Sequence, residues 1–252
     1  IVFFDNGLQG IVFEIQEDTT IIFVLDKKPV EAGLGVTRSN TVYGVPVTEK
    51  YYGRVINVQG KAIDGKKQDW SLTEHIWEIE RLIPGIAERK SLNQPLNTGI
   101  LVIDALIPVG LGQRQLLLGN RGTGKTAAAI DIILANKGTD TIFIYVAIGQ
   151  KLSEIVAIQY LLDVHGVLPQ CIIVCADSST CAIEQYLAPY VGATIAEYFA
   201  HELKKDVVAI YDSLTNHAIA YREMSLLMRR APSREAFPGD IFYLHARLLE
   251  RA

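Results

Sequence analysis

The chain has 252 residues, 49% of them apolar, enough for one large domain, or a domain with a small module, around a sizeable core. Its 24 lysines and arginines against 28 aspartates and glutamates leave a net charge of −4, which excludes the broad positive field of a general nucleic-acid binder. No basic segment followed by an apolar stretch opens the sequence, and Asp131 and Lys137 interrupt the most apolar helical region well short of membrane-spanning length, so direct membrane insertion is not expected.

From the start of the chain, two β-branched and aromatic runs, Ile11 to Ile15 and Thr20 to Leu25, flank the polar turn Gln16 to Thr19 and predict a hairpin. Short strands are expected to continue through Val36, so residues 1–38 read as a small β module. Residues 39–97 read as a connector: glycines punctuate them, and the polar stretch Lys66 to Asn97 holds few sustained apolar periods. From 98 to 252 short apolar strands alternate with helices. The expected strands are Gln115 to Leu118, Thr141 to Ala147, Cys171 to Ala176 and Val207 to Tyr211. The expected helices are Lys125 to Asn136, Ser153 to His165 and Gly192 to Leu203, with Gly138 and Gly166 as C-terminal stops. This alternation predicts an α/β domain, a mainly parallel sheet with helices on both faces and its ligand at the carboxyl ends of the strands. Cys171, Cys175 and Cys181 lack the paired spacing of a zinc site and are expected to be buried thiols. Arg229 to Glu235 reads as a helix-ending turn stopped by Pro232, although arginines are enriched at interfaces as well as on ordinary surfaces.

The chemistry concentrates at Gly119-Asn120-Arg121-Gly122-Thr123-Gly124-Lys125-Thr126, which fits G-x-x-x-x-G-K-[ST] between an expected strand and an expected helix. Glycines let successive N–H groups turn inward onto phosphate oxygens, and the following helix adds the positive end of its dipole. Lys125 is expected to reach the β and γ phosphates of ATP or ADP, and Thr126 to place its hydroxyl on Mg2+. Asp212, closing the run Val207 to Tyr211, is the candidate acid for the metal's water shell; an aspartate there could also cap the helix opened by Ser213, Thr215 and Asn216. After the strand Thr141 to Ala147, where a hydrolase of this layout needs a carboxylate beside the attacking water, the chain has Gln150. An amide can orient water but cannot take its proton. Glu154, about one helical turn on, is the only obvious substitute and reads first as a solvated residue of an amphipathic helix.

The strings GQRQLLLGNRGTGKTA, IYVAIGQK, QYLAPYVGATIAEYF and MSLLMRRAPSREAFPGDIFYLHARLLERA resemble the alpha subunit of F-type ATP synthases, as do Gly53-Arg54-Val55 and Ala62-Ile63-Asp64-Gly65 where that family's β-barrel hands over to its nucleotide domain. The resemblance implies a RecA-like P-loop NTPase fold after a partial barrel, in a piece of a longer subunit without the barrel's opening strands and the C-terminal helical domain. It implies a non-catalytic Mg-ATP site in an alternating hexamer with beta subunits around a central gamma stalk. Such a headpiece lies peripherally on the cytoplasmic face of a prokaryotic inner membrane, or on the matrix or stromal side in organelles. The positions matching Arg121, Gly122, Thr123, Gly124, Lys125, Thr126, Ala127 and Gln150 would bind nucleotide, and those matching Thr126 and Asp212 the metal. The family usually has glutamine where this chain has Gly122, arginine at Leu152 and a second acid at Ser213; Gly122 and the string Leu214 to Ala218 look more like a divergent prokaryotic branch. Export ATPases and transcription-termination helicases share the fold but would carry a carboxylate at Gln150 or a basic RNA-binding module.

Overall fold

A computed structural model describes residues 1–26, 28–81, 85, 87, 89 and 91–252; the part of the polar connector at 82–84, 86, 88 and 90 lies outside the described residues. The chain opens with β1 (Val2–Phe4), β2 (Gln9–Ile15), β3 (Thr20–Val24) and β4 (Val36–Arg38), paired antiparallel in the order β3-β2-β1-β4. The expected hairpin is β2–β3, closed by Gln16 N donating to Thr19 O at 2.8 Å and bulged between Val12 and Glu14. Next come β5 (Gly44–Pro46), β6 (Val55–Ile56) and β7 (Ile76–Glu78), with β5 and β7 paired antiparallel. A second small ribbon joins β8 (Pro95–Leu96) to β9 (Val109–Gly110) around helix α1 (Leu101–Leu106).

The remainder is the α/β layer: α2 (Lys125–Ala135), β10 (Ile142–Ile148), α3 (Leu152–Val164), β11 (Cys171–Ala176), α4 (Ala182–His201), β12 (Val207–Asp212), α5 (Leu214–Leu227) and α6 (Ile241–Leu249). Its sheet is wholly parallel, ordered β12-β10-β11-β6, so Val55 and Ile56, from the stretch read as connector, supply its fourth strand. Strand β10 is buried along its whole length because both of its faces are covered. Ile142, Ile144, Val146 and Ile148 pack with α4, α5 and α6, while Phe143, Tyr145 and Ala147 pack with α2 and α3. A continuous apolar run is what two-sided burial requires, and Ile- and Val-rich β11 meets the same demand. Cys171 and Cys175 belong to that core, where burial pushes both thiols up to about 12. Gly166 sits just past α3 at φ +69° and Gly138 shortly after α2 at φ +79°, the left-handed conformations that let the chain turn away from a helix end.

Three expectations differ from the structure: Cys181, at the N-cap of α4, is only partly buried, unlike Cys171 and Cys175, and one helix and one strand depart from their expected bounds. Helix α4 begins at Ala182, ten residues before Gly192, and passes through Pro189. Its middle, Tyr186 to Ile195, is buried on all sides, so it has no amphipathic period to mark its start, and packing overrides the helix-weakening proline and glycine. Gln115 to Leu118 joins no strand, and Leu116 and Leu118 are 70% and 89% exposed. Three successive leucines lack the β-branched character of β10 to β12, and the segment is anchored from its front instead, where Arg114 meets Glu250 at 2.5 Å beyond the end of α6. Strand β12 is therefore an edge of the sheet among the described residues. No helix among them is long and apolar enough to cross a membrane.

Candidate functional site

Residues 121–124 form turns and bends that run directly into α2, with Gly124 as its N-cap at φ +89°. Gly122 and Gly124 both hold positive φ, and a Cβ on either would meet open space, so the exposed loop is not bent around packed side chains. The helix's hydrogen bonding begins at Ala128 N to Gly124 O, 2.9 Å, which leaves the amides of Lys125, Thr126 and Ala127 without helical acceptors and adds them to the loop's amides as anion donors. Thr123 Oγ1 braces the loop by donating to Asn120 O at 2.8 Å. Lys125 folds back over it, its Nζ donating to Gly119 O at 2.8 Å and Asn120 O at 2.6 Å. Arg121 is exposed at the loop's outer edge.

The parallel register sets the acid opposite this loop. Asp212 pairs with Ala147 in the β10–β12 ladder, so it ends β12 beside the carboxyl end of β10. Its Oδ2 accepts from Thr126 Oγ1 at 2.7 Å and from Tyr145 Oη at 2.7 Å. Helix α5 is capped by its neighbour Ser213, whose side chain accepts from Asn216 N, so Asp212 is not the cap. Gln150, just after β10, donates from Nε2 to Tyr145 Oη at 3.4 Å, and its Oε1 is buried without a hydrogen-bond partner. Thr126, Asp212, Tyr145 and Gln150 thus form one hydrogen-bonded chain at the carboxyl end of the sheet. Glu154 is exposed in the first turn of α3 and takes no part in it.

Sequence reasoning missed Tyr145, which sits in an apolar strand and reads as core. The available signal was its hydroxyl: a phenol in a strand buried on both faces needs a polar partner, and the polar residues lie at the strand ends. Burial and the neighbouring Asp212 carboxylate both hold this phenol far above the ordinary tyrosine range, so it stays protonated and donates. The residues present fit a phosphate tail and a hard cation. Open space lies over the glycines, the helix's first amides are unpaired, and Gln150 Oε1 is an oxygen acceptor with nothing to accept from. Of the run Arg229 to Glu235, Arg230 is engaged within the chain, its guanidinium 2.6 Å from Glu14 of β2.

Residues 99–252 match the ATP synthase alpha/beta family, nucleotide-binding domain. Over its full length the chain is 50% identical to the ATP synthase subunit alpha of Sulfurovum sp., 48% to that of Aquifex aeolicus and 47% to that of Mycoplasma genitalium. It spans about half the length of these curated relatives, 50%, 50% and 48% respectively.

Proposed function

The chain belongs to the ATP synthase alpha/beta family, and from that premise we propose that it is a non-catalytic, regulatory Mg-ATP-binding alpha subunit of a rotary ATP synthase. In this reading it alternates with beta subunits around a central gamma stalk, in a headpiece held peripherally at the membrane that couples ATP synthesis to ion transport. The loop amides from Arg121 to Ala127 and the Lys125 ammonium take the phosphates; the ammonium exchanges its two loop carbonyls for phosphate oxygens. Thr126 and Asp212 hold Mg2+, which when bound neutralises phosphate charge. Because Thr126 gives its proton to Asp212, the lone pairs of its Oγ1 stay available.

One observation carries the non-catalytic assignment: the side chain beside the Thr126–Asp212 pair is the amide of Gln150. It can orient a water and cannot accept its proton, so general-base assistance worth roughly 10²–10⁴-fold is missing. Binding energy is then directed into the assembled state, which a nucleotide stabilises by mass action without turnover.

The test compares Mg-ATP binding and hydrolysis by the chain and by its Lys125→Ala variant. Saturable binding that the substitution abolishes, with turnover at background in both, is expected. Sustained hydrolysis that disappears in Glu154→Gln would overturn the non-catalytic reading.

A further inference from the structure

We infer that Tyr145 is a positioning residue for the metal end of this site: its hydroxyl fixes the Asp212 carboxylate and sets which end of the Gln150 amide is turned toward that metal end. The inference rests on the reading of the site as one for Mg-nucleotide.

The argument is one of counting protons. Tyr145 has a single hydroxyl proton, and the 2.7 Å contact to Asp212 Oδ2 uses it, since an ionised carboxylate can only accept. The phenol oxygen can then serve Gln150 only as an acceptor, so the amide must turn its NH2 toward Tyr145. Gln150 Oε1 is thereby held away from the phenol, the one buried acceptor of the network left unpaired. With a phenylalanine in place of Tyr145, neither constraint would exist: Asp212 would keep Thr126 alone, and the amide could present either end. Tyr145 is fully buried, and its ring is packed among α2 and α3 side chains, so the hydroxyl is aimed by the core and not by a mobile loop. Its position on the strand supplies the reach. Tyr145 and Ala147 share a face of β10, and Asp212 is Ala147's partner in the ladder, so the phenol extends along the strand to the acid two residues on. Both 2.7 Å donors fall on the same carboxylate oxygen, Oδ2, and among the described residues no side-chain donor reaches Asp212 Oδ1.

A role of this kind acts on the metal and not on the phosphate cradle, and that separates it from a merely structural contribution. Binding of a fluorescent ATP analogue is measured with Mg2+ and with EDTA, for the chain, for Tyr145→Phe, for Gln150→Ala and for the double variant. Removing an outer partner of a metal-holding group typically lowers metal affinity about 10–100-fold, so Tyr145→Phe is expected to cut the affinity gained on adding Mg2+ by about tenfold or more. Affinity in EDTA should stay at its unsubstituted value, because the loop amides and Lys125 are untouched. Gln150→Ala should cost less in the Tyr145→Phe background than alone, since the amide is no longer oriented there. An undiminished Mg2+-dependent gain in Tyr145→Phe, an equal loss in EDTA, or strictly additive variants would overturn the inference. If Tyr145→Phe does not fold, the partly exposed Gln150→Ala carries the test: it must lower the Mg2+-dependent gain alone, and an unchanged gain overturns the proposal. Binding that is absent, or that survives Lys125→Ala, overturns the nucleotide reading itself and this inference with it.

Discussion

Acidification should weaken the fold through His217 well before the carboxylates titrate. Its ring is fully buried on α5, stacked against Tyr186 of α4 at 5.6 Å and against His245 of α6 at 5.3 Å. His217 Nε2 contacts Tyr186 O at 3.0 Å and therefore carries the proton of the neutral ring, while Nδ1 is buried and unpaired. Burial first, then the adjacent His245, pushes its pKa from 6.5 down to about 3. The unfolded chain therefore takes up a proton near pH 6.5 that the folded chain refuses. The stabilisation is complete above pH 6.5 and is lost as pH falls from there toward about 3. At 1.36 kcal/mol per pH unit, lowering the pH to 5 removes about 2 kcal/mol through this residue alone. Burial lowers His245 as well, and its contribution has the same sign. The carboxylates held low by their partners, among them Asp64 and Glu14, start from 3.8 and 4.5, so their losses set in below pH 5 and leave the comparison of pH 7 with pH 5 to histidine. Urea unfolding at pH 7 and pH 5 is compared for the chain and for His217→Gln, whose amide can still donate to Tyr186 O. Any pH-independent cost of the substitution cancels in the difference between the two pH values. The unsubstituted chain should lose about 2 kcal/mol more than the variant; equal losses would refute the argument that a neutral His217 ring is required.

Two further outcomes follow from packing and charge. In Gly192→Ala the new Cβ would run into Val146 Cγ2, a side chain with no exposure in the middle of β10. Overpacking of about 1–3 kcal/mol opposes a helix-propensity gain of about 1 kcal/mol, so a lower melting temperature is expected and a raised one would refute the close approach of α4 to β10. Asp64 has no side-chain exposure and holds Arg54 through Nε at 2.6 Å and Nη2 at 3.0 Å, while also accepting from the amides of Val55 and Lys66. Asp64→Asn keeps the shape but leaves Arg54 with only the exposed Asp69 carboxylate at 3.9 Å, which should cost about 3 kcal/mol in chemical denaturation, the low end for a broken buried pair; a loss below about 1 kcal/mol would show that the pair is solvated.

What could be read from the sequence was whatever leaves a local mark: β-branched runs about a polar turn, a continuous apolar run, or a glycine. The hairpin β2–β3, strands β10 and β11 and the loop-to-helix turn at Gly124 all carry such a local signature, and the structure has them where the residues indicate. The approach of Thr126 to Asp212 follows once the sheet is parallel, because both then lie at the same end of it. What escaped was decided by tertiary packing. The start of α4 is hidden because a helix buried on all sides has no polar face to mark its register. The leucines at 116–118 read as a strand by apolarity, although their exposure shows that hydrophobicity without a pairing partner does not make one. The pairing of β6 with β11 joins positions more than a hundred residues apart, which no local pattern encodes.

Strand β10 explains why the site and the core cannot be tuned separately. Its even-numbered residues face α4, where Val146 meets Gly192 with no room for one more carbon, and its odd-numbered residues face α2 and α3, where Tyr145 holds Asp212. Adjacent residues on one strand thus serve opposite faces. A slip of one position would carry the phenol into the α4 interface and leave valine beneath the acid. The tight contact on the even face is therefore what keeps the odd face in register: an interior packed at crystal-like density has few alternative arrangements, and the 2.7 Å spacing at Asp212 inherits that rigidity. It follows that loosening the even face, as with Val146→Ala, should weaken the Tyr145–Asp212 hydrogen bond, even though the substituted side chain points away from the site.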